Sequence, residues 1–339
     1  MRILFWGTPA YALPSLEALH ESGHELIGVV SQPDRRRGRG GTPLPSPVKA
    51  RALELALPVF TPERIRREPE TQAQLAALGA DLSVVVAFGQ ILPPEVLAQP
   101  PLGCWNAHGS LLPRWRGAAP IQWCLLEGDT QTGVGIMAME EGLDTGAVLL
   151  QQTLEVGLRD NATDLGRRLA DMSGSLLVEA LERISEAGPG PEAERHQRLG
   201  LRPQSPEGIT YARQLAKGDF QIDWSDPAVA THRRVMGLHP GAWTHCQGLR
   251  LKVLSCEPLV ARLRDQLSAE AAPLADHWGG PQQAPPGLVL AVVEGVGAVL
   301  ATGGCPLLLR EGQLEGKRAA SGAGLLQQLA FKPGDNLAG

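Results

Sequence analysis

Residues 81–87 read DLSVVVA, and this run decides the fold. A strand that is apolar throughout needs cover on both faces, as the centre strand of a parallel sheet has. Working outward, the chain alternates strand and helix patterns. Upstream, residues 2–6 (RILFW) and 26–31 (LIGVVS) read as strands separated by an amphipathic stretch to His20, and residues 58–60 add another. Downstream, residues 102–108 and 134–139 continue the series. This alternation predicts an α/β unit built on a Rossmann-like, doubly wound parallel sheet. Ligands of such sheets sit beyond the carboxyl ends of the strands.

The whole chain narrows the possibilities further. Its 339 residues predict two domains, and its hydrophobic content of 43% can build a sizeable core. A net charge of −5 excludes a globally basic protein, so nucleic acid would have to be met by a local patch. The 5 cysteines are scattered, with no C-x-x-C. That argues against a disulfide framework or zinc ribbon and for a reducing compartment. No stretch approaches the roughly 20 apolar residues of a membrane span. The opening MRILFWGTP enters a strand directly, so the expectation is a cytoplasmic protein that needs no metal.

Residues 161–187 read as one long helix, with Asn161 as cap, Asp164 three residues on, and Leu165, Leu169, Met172, Leu176 and Ile184 at helical spacing. Residues 188–208 break the pattern with Gly, Pro and charge and read as an interdomain linker. The expected organisation is therefore 1–187, a linker, and 209–339. Short strand patterns at 249–255, 287–293, 297–301 and 307–309 predict a smaller OB-like β-barrel in the last part. The polar, Ala/Pro-rich stretch 257–286 reads as a surface loop.

Chemistry concentrates in CWNAHGSLLPRWRG, residues 104–117, and in GLDTG, residues 142–146. Asn106 and His108 alternate at a strand end and so share a face. An imidazole can shuttle a proton, an amide can donate to a developing oxyanion, and the carboxylate of Asp144 can fix the imidazole's charge state. That set suits chemistry on a carbonyl. An isolated Asn-x-His more often satisfies a turn, and an isolated Asp144 reads as an Asx-turn; the flanking sequence favours catalysis. Gly7-Thr8-Pro9 follows the first strand without the glycines of G-x-G-x-x-G, which argues against a nicotinamide cofactor. Residues 31–49 form a long loop carrying Arg35, Arg36, Arg37, Arg39 and Lys49, suited to wrapping phosphates or to mere solvation. Residues 87–93 (AFGQILP) can wall a flat heterocycle or be an ordinary turn. His20, His24, His196 and His232 lack partners at ligand spacing, and Cys104 near His108 finds no further ligand in register.

These segments together resemble the folate-dependent formyltransferases. The matching pieces are ILFWGTPAYALPSLEAL, the PDRRRGRG and PSPVK loop, DLSVVVAFGQILP, NAHGSLLPRWRGAAPIQ, GLDTG, QLAKGDFQIDW, HPGAW and FKPGDNL. The resemblance is closest to the members acting on initiator methionyl-tRNA. It implies 10-formyltetrahydrofolate as donor, that tRNA as acceptor, a monomer, and Asn106, His108 and Asp144 as catalytic residues. It further implies tetrahydrofolate contacts from Ser110, Leu111, Leu112 and Pro113, with Phe88, Gly89, Gln90, Ile91 and Leu92 as pterin wall. Arg39 matches the loop that reaches the acceptor stem, together with Arg35, Arg36, Arg37 and Lys49, and Lys217 opens the tRNA-contacting barrel. The chain departs from the family at Gly40, Gly41 and Thr42, where lysines are frequent, at Leu325 to Gln328, and in the length of 257–286. Rival acceptors are glycinamide ribonucleotide and an amino sugar. A non-catalytic RNA reader is the alternative from another class, which the intact Asn106, His108 and Asp144 disfavour.

Overall fold

The computed structural model describes residues 1–36 and 41–337, so Arg37 and Arg39 lie outside the described residues. The chain divides into two compact units. The first comprises residues 1–120, 131–154 and 166–213, and the second residues 121–130, 155–165 and 214–339. Among the described residues no helix is long and apolar enough to cross a membrane.

The first unit is built on a seven-stranded sheet. Its strands are β1 (Arg2–Gly7), β2 (Glu25–Val30), β3 (Val59–Phe60), β4 (Leu82–Val86), β5 (Cys104–His108), β6 (Gln131–Ala138) and β7 (Val148–Glu155). They lie in the order β7-β6-β5-β4-β1-β2-β3. The run that decided the fold is β4, buried at every position. The pairings β1–β2, β1–β4, β2–β3 and β4–β5 are parallel, as expected. The series departs from expectation at β6, which pairs with β5 antiparallel, Asn106 opposite Met137 and His108 opposite Gly135. Sequence reading missed β7 because its last residues are exposed and polar. β6 reaches β7 through residues 139–147, a stretch too short for the helical crossover that a parallel pair requires.

The chain leaves β1 for β2 and β3 on one side, then returns to β4 on the other, so the switch point lies between β1 and β4. The loops there are tied together. Thr8 Oγ1 donates to the Phe88 carbonyl at 2.8 Å, and Gln32 Nε2 donates to the same oxygen at 3.3 Å. Beneath them Trp6 and Phe88 pack edge to face at 5.2 Å within a core of Leu4, Val30, Ile65 and Val85.

Three stretches differ from their sequence reading. Residues 188–208 are no free linker: they carry the helix Glu192–Leu199, and the buried Arg195 donates to the Pro101 carbonyl at 2.7 Å. Val148 and Arg202 exchange backbone hydrogen bonds. The proline and glycine here bound that helix, Pro191 before it and the left-handed Gly200 after it, while Arg195 turns its guanidinium inward. Within 31–49, Arg35–Arg36 pair with Pro43–Leu44 and Ser46 caps the helix Pro47–Glu54. The expected long helix spans Ala162–Ala187, with Asn161 Oδ1 accepting from the amides of Thr163 and Asp164 at 3.0 and 2.9 Å.

The second unit centres on antiparallel strands β8 (Trp243–Cys246), β9 (Leu249–Pro258), β10 (Val289–Val293), β11 (Gly297–Leu300) and β12 (Leu307–Leu314). Their order is β8-β9-β12-β11-β10, the small β unit expected, with Ala320–Ser321 paired to β12. Leu251, Val253, Ala298, Leu309, Val235 and Leu325 fill its core. His232 is interior, with its ring nitrogens 2.9 and 2.8 Å from the Cys256 and Leu158 carbonyls.

The stretch 257–286 is the third departure. It contains the helix Ala272–Trp278 and a small core of its own, in which Leu259, Leu267, Ala271 and Ala275 pack on Val299 and Leu308. Its anchor is the buried carboxylate of Glu257. Ser268 donates to it from its amide and its hydroxyl, both at 2.7 Å, and Arg310 Nη1 donates at 2.6 Å. Burial pushes the Glu257 carboxyl up, but the Ser268 and Arg310 hydrogen bonds outweigh that and leave it below its ordinary value of 4.5. A carboxyl lowered in the fold adds stability above its unfolded pKa, and that stability fades as pH falls through the folded one. Glu257→Gln should therefore cost about 1–3 kcal/mol at pH 7. In urea unfolding its deficit against the native chain should shrink below pH 4.5; a deficit independent of pH would contradict this assignment.

Candidate active site

The chain leaves β5 after His108 through an irregular loop, and each turn of that loop has a local reason. The amide of Ser110 donates to the His108 carbonyl at 2.9 Å, and Ser110 Oγ donates to the Arg114 carbonyl at 2.6 Å. Trp115 takes a left-handed conformation, φ +62°, with the Arg114 guanidinium 4.3 Å from its ring centroid. Left-handed backbone is costly for a non-glycine residue and persists only where neighbours hold it. Here the holder is residues 210–212: the Trp115 amide donates to Thr210 Oγ1 at 2.9 Å and the Arg116 amide to the Thr210 carbonyl at 3.0 Å. Arg116–Gly117 then pair in parallel with Tyr211–Ala212.

That loop sets Asp144 against His108, with Asn106 on the same strand two residues before it. His108 is buried, and its Nε2 is 2.8 Å from the Trp115 carbonyl. A carbonyl only accepts, so Nε2 carries a proton and Nδ1 is the nitrogen left for chemistry. Nδ1 faces Asp144 Oδ2 at 3.7 Å. The same Oδ2 accepts from the Gly117 amide at 2.8 Å, which fixes the carboxylate on the loop. Asp144 itself is left-handed, φ +52°, between Leu143 and Thr145 in the turn that joins β6 to β7. Asn106 shares the strand face of His108, and its Oδ1 is buried without a hydrogen-bond partner. A buried acceptor is costly to leave unpaired, so Asn106 Oδ1 is open to a donor.

The other predicted residues are spread more unevenly. Phe88 and Leu92 belong to the core beneath β4, and Gln90 braces its neighbours by accepting from Ile65 and donating to Pro62. Gly89 takes φ +87°, and Ile91 is 66% exposed. From that segment, backbone and Ile91 are what a flat ring can meet. Leu112 packs on Met137 and Val148, and its carbonyl accepts from Gln151 at 3.2 Å. Arg35 and Arg36 are exposed, Lys49 is paired with Asp34 at 2.7 Å, and Lys217 is exposed at the start of a short helical turn. Cys104 is buried and its thiol is pushed up to about 12 by burial, so it supplies no thiolate.

Comparison with known proteins gives this geometry a family. The formyl transferase family model matches residues 1–181, and the model of the family's C-terminal domain matches residues 214–330. A methionyl-tRNA formyltransferase of Synechococcus sp. (strain RCC307) is 67% identical over 97% of this chain and 100% of its own length. One from Synechococcus sp. (strain CC9605) is 62% identical over 99% and 98% respectively. The chain belongs to the methionyl-tRNA formyltransferase family. Solved structures share its fold. HypX from Aquifex aeolicus, crystallised with tetrahydrofolic acid, superposes with a TM-score of 0.60 at 16% identity, over 99% of this chain and 48% of HypX. An N-formyltransferase from Helicobacter canadensis, complexed with folinic acid and dTDP-3-aminofucose, gives 0.60 at 14% identity over 91% and 98%.

Sequence reading missed the residues that hold this formyltransferase site in shape. Thr8 and Gln32 tie the switch-point loops, while Thr210 and Ala212 pin the loop after His108. Only Thr8 had a visible signal, its place directly after β1. Gly117 is a tight point of that pinned loop: it sits at φ +120°, and a Cβ there would lie 2.7 Å from the Ala212 carbonyl oxygen. Gly117→Ala should destabilise the protein by about 1–3 kcal/mol, because both the dihedral and the contact resist a methyl group. Denaturant midpoints compared at equal slope would measure it; an unchanged midpoint would show that the loop yields freely.

Proposed function

We propose that this chain transfers the formyl group of 10-formyltetrahydrofolate to the α-amino group of methionine on initiator tRNA. Its kinship over nearly full length with methionyl-tRNA formyltransferases supports the reaction. The observation that carries the site is the buried, unpartnered Asn106 Oδ1 beside a His108–Asp144 pair 3.7 Å apart. An amide presents either its oxygen or its NH2 by rotation of one bond, so Asn106 suits a substrate that brings both an N–H and a carbonyl oxygen.

In this reading Asn106 and protonated His108 Nδ1 donate to the formyl oxygen as negative charge builds on it. Each such donor is worth on the order of 10²–10³ in rate. Asp144 takes the proton released by the attacking amine, directly or through a water, as the new C–N bond forms. His108 then supplies the proton that accompanies the departing folate nitrogen. Asp144 Oδ2, at 3.7 Å, returns the first proton to Nδ1 and the pair is reset. No net proton is gained or lost, since the amine gives up one and the folate nitrogen receives one.

For the donor, Leu111 and the backbone of 88–92 and 110–113 offer the contacts, with Ile91 lending apolar surface. For the acceptor, Arg35 and Arg36 are exposed cations suited to phosphates, with Lys217 as a further one. Arg37 and Arg39 belong to the same proposal, and Lys49 contributes less because Asp34 already holds it.

The experiment is formylation of initiator methionyl-tRNA beside elongator methionyl-tRNA, read on acid gels. Product from the initiator alone is expected. No product, with tetrahydrofolate still bound, would overturn the acceptor assignment. With the same assay, Asp144→Asn should lower turnover by about 100-fold or more while tetrahydrofolate affinity stays within about two-fold. Equal losses in both would remove Asp144 from proton transfer.

A further inference from the structure

Gln204 lies in the stretch that the sequence presents as a linker, yet its amide uses both ends on the active-site loops. Its Nε2 donates to the backbone carbonyls of Asp144 and Gly146, each at 2.8 Å. Its Oε1 accepts from Arg116 Nε at 3.0 Å and Nη2 at 2.7 Å. Arg116 is buried and directly precedes Gly117, whose amide holds the Asp144 carboxylate. One side chain thus joins the loop after His108 to the turn carrying Asp144.

The turn needs such a clamp. Asp144 is left-handed at φ +52° without being glycine. Two residues on, a Cβ at Gly146 would fall 1.8 Å from the Ala138 carbonyl oxygen, so the turn is pressed against β6 on one side. Gln204 closes the other. Released from it, the turn would keep the Gly117 amide on Oδ2 but lose the side-chain hold on the Asp144 backbone that supports Oδ2 at 3.7 Å from Nδ1.

We infer that Gln204 is a positioning residue for the transfer reaction, acting through Asp144. This rests on the role proposed above for Asp144. Gln204 is neutral, which matters: a glutamate would satisfy Arg116 but set carboxylate oxygens against the two carbonyls.

The test is a double-mutant cycle on the full chain with native, Gln204→Glu, Asp144→Asn and the double variant. Alone, Gln204→Glu should lower kcat about 10- to 100-fold, the scale of a misplaced catalytic group, with KM for tRNA and folate within about two- to three-fold. In the Asp144→Asn background the same change should cost less than about two-fold, since residues acting as a unit are not additive. Gln204→Met, which removes all four bonds without adding charge, should behave alike and separates positioning from charge. Multiplicative losses, or a loss carried by KM, would overturn the inference while leaving Asp144 catalytic. An active Asp144→Asn would instead overturn the proposed mechanism, and this inference with it. Failure of both Gln204 variants to fold, by thermal unfolding, would make Gln204 a general structural residue and likewise overturn the assignment.

Discussion

Buried backbone must find partners, and the irregular loop after His108 has no regular ladder to supply them. Its amides at Trp115, Arg116 and Ala118 are met by Thr210 and Ala212, residues far along the chain. That pairing sets where the Trp115 carbonyl points, and the Trp115 carbonyl accepts the hydrogen bond from His108 Nε2–H. The identity of the free imidazole nitrogen is thereby decided by a backbone oxygen. The carboxylate opposite is oriented in the same manner, by the Gly117 amide. Backbone groups are stiffer than side chains, so the site is preorganised by the least adaptable part of the protein.

Charge is arranged with equal economy. Arg116 is interior, and Gln204 meets it with a neutral acceptor. A carboxylate in that place would set anionic oxygens against the Asp144 and Gly146 carbonyls. The glutamine supplies direction without that repulsion. In the second unit the opposite solution appears: Glu257 answers Arg310 with full charge, in a structural core where no proton has to move.

The sequence made the architecture legible where hydrophobic period and burial agree. Residues 82–86 are covered on both faces and read as such, and the Asn161 cap announced the long helix. Asn106, His108 and Asp144 were singled out by residue type together with the flanking sequence and the family resemblance, and the fold sets Asp144 against His108. Phe88 and Leu92 were read as ligand wall because apolar residues after a strand look the same whether they face a ligand or the core. Residues 188–208 and 257–286 were read as linker and loop because their composition is polar and rich in breakers. Part of what holds them is inward polar groups, Arg195, Gln204 and Glu257, which leave no periodic trace. The reversal of β6 was hidden for another reason: residues 109–130 include the helix Pro120–Glu127 and are long enough for a parallel crossover, so the connection gave no sign of it.

Residues 188–213 also bear on where this protein can be divided. A boundary drawn after the long helix at Ala187 looks natural, since the next residues are glycine and proline. A fragment ending there would keep Asn106, His108 and Asp144 yet lose Gln204, Thr210 and Ala212. It would hold the side chains proposed to react but lose the far segment that pins the loop after His108 and the Asp144 turn. For grafting or recombining this catalytic unit, the meaningful border is thus the end of the anchoring segment at Arg213, where the first unit closes.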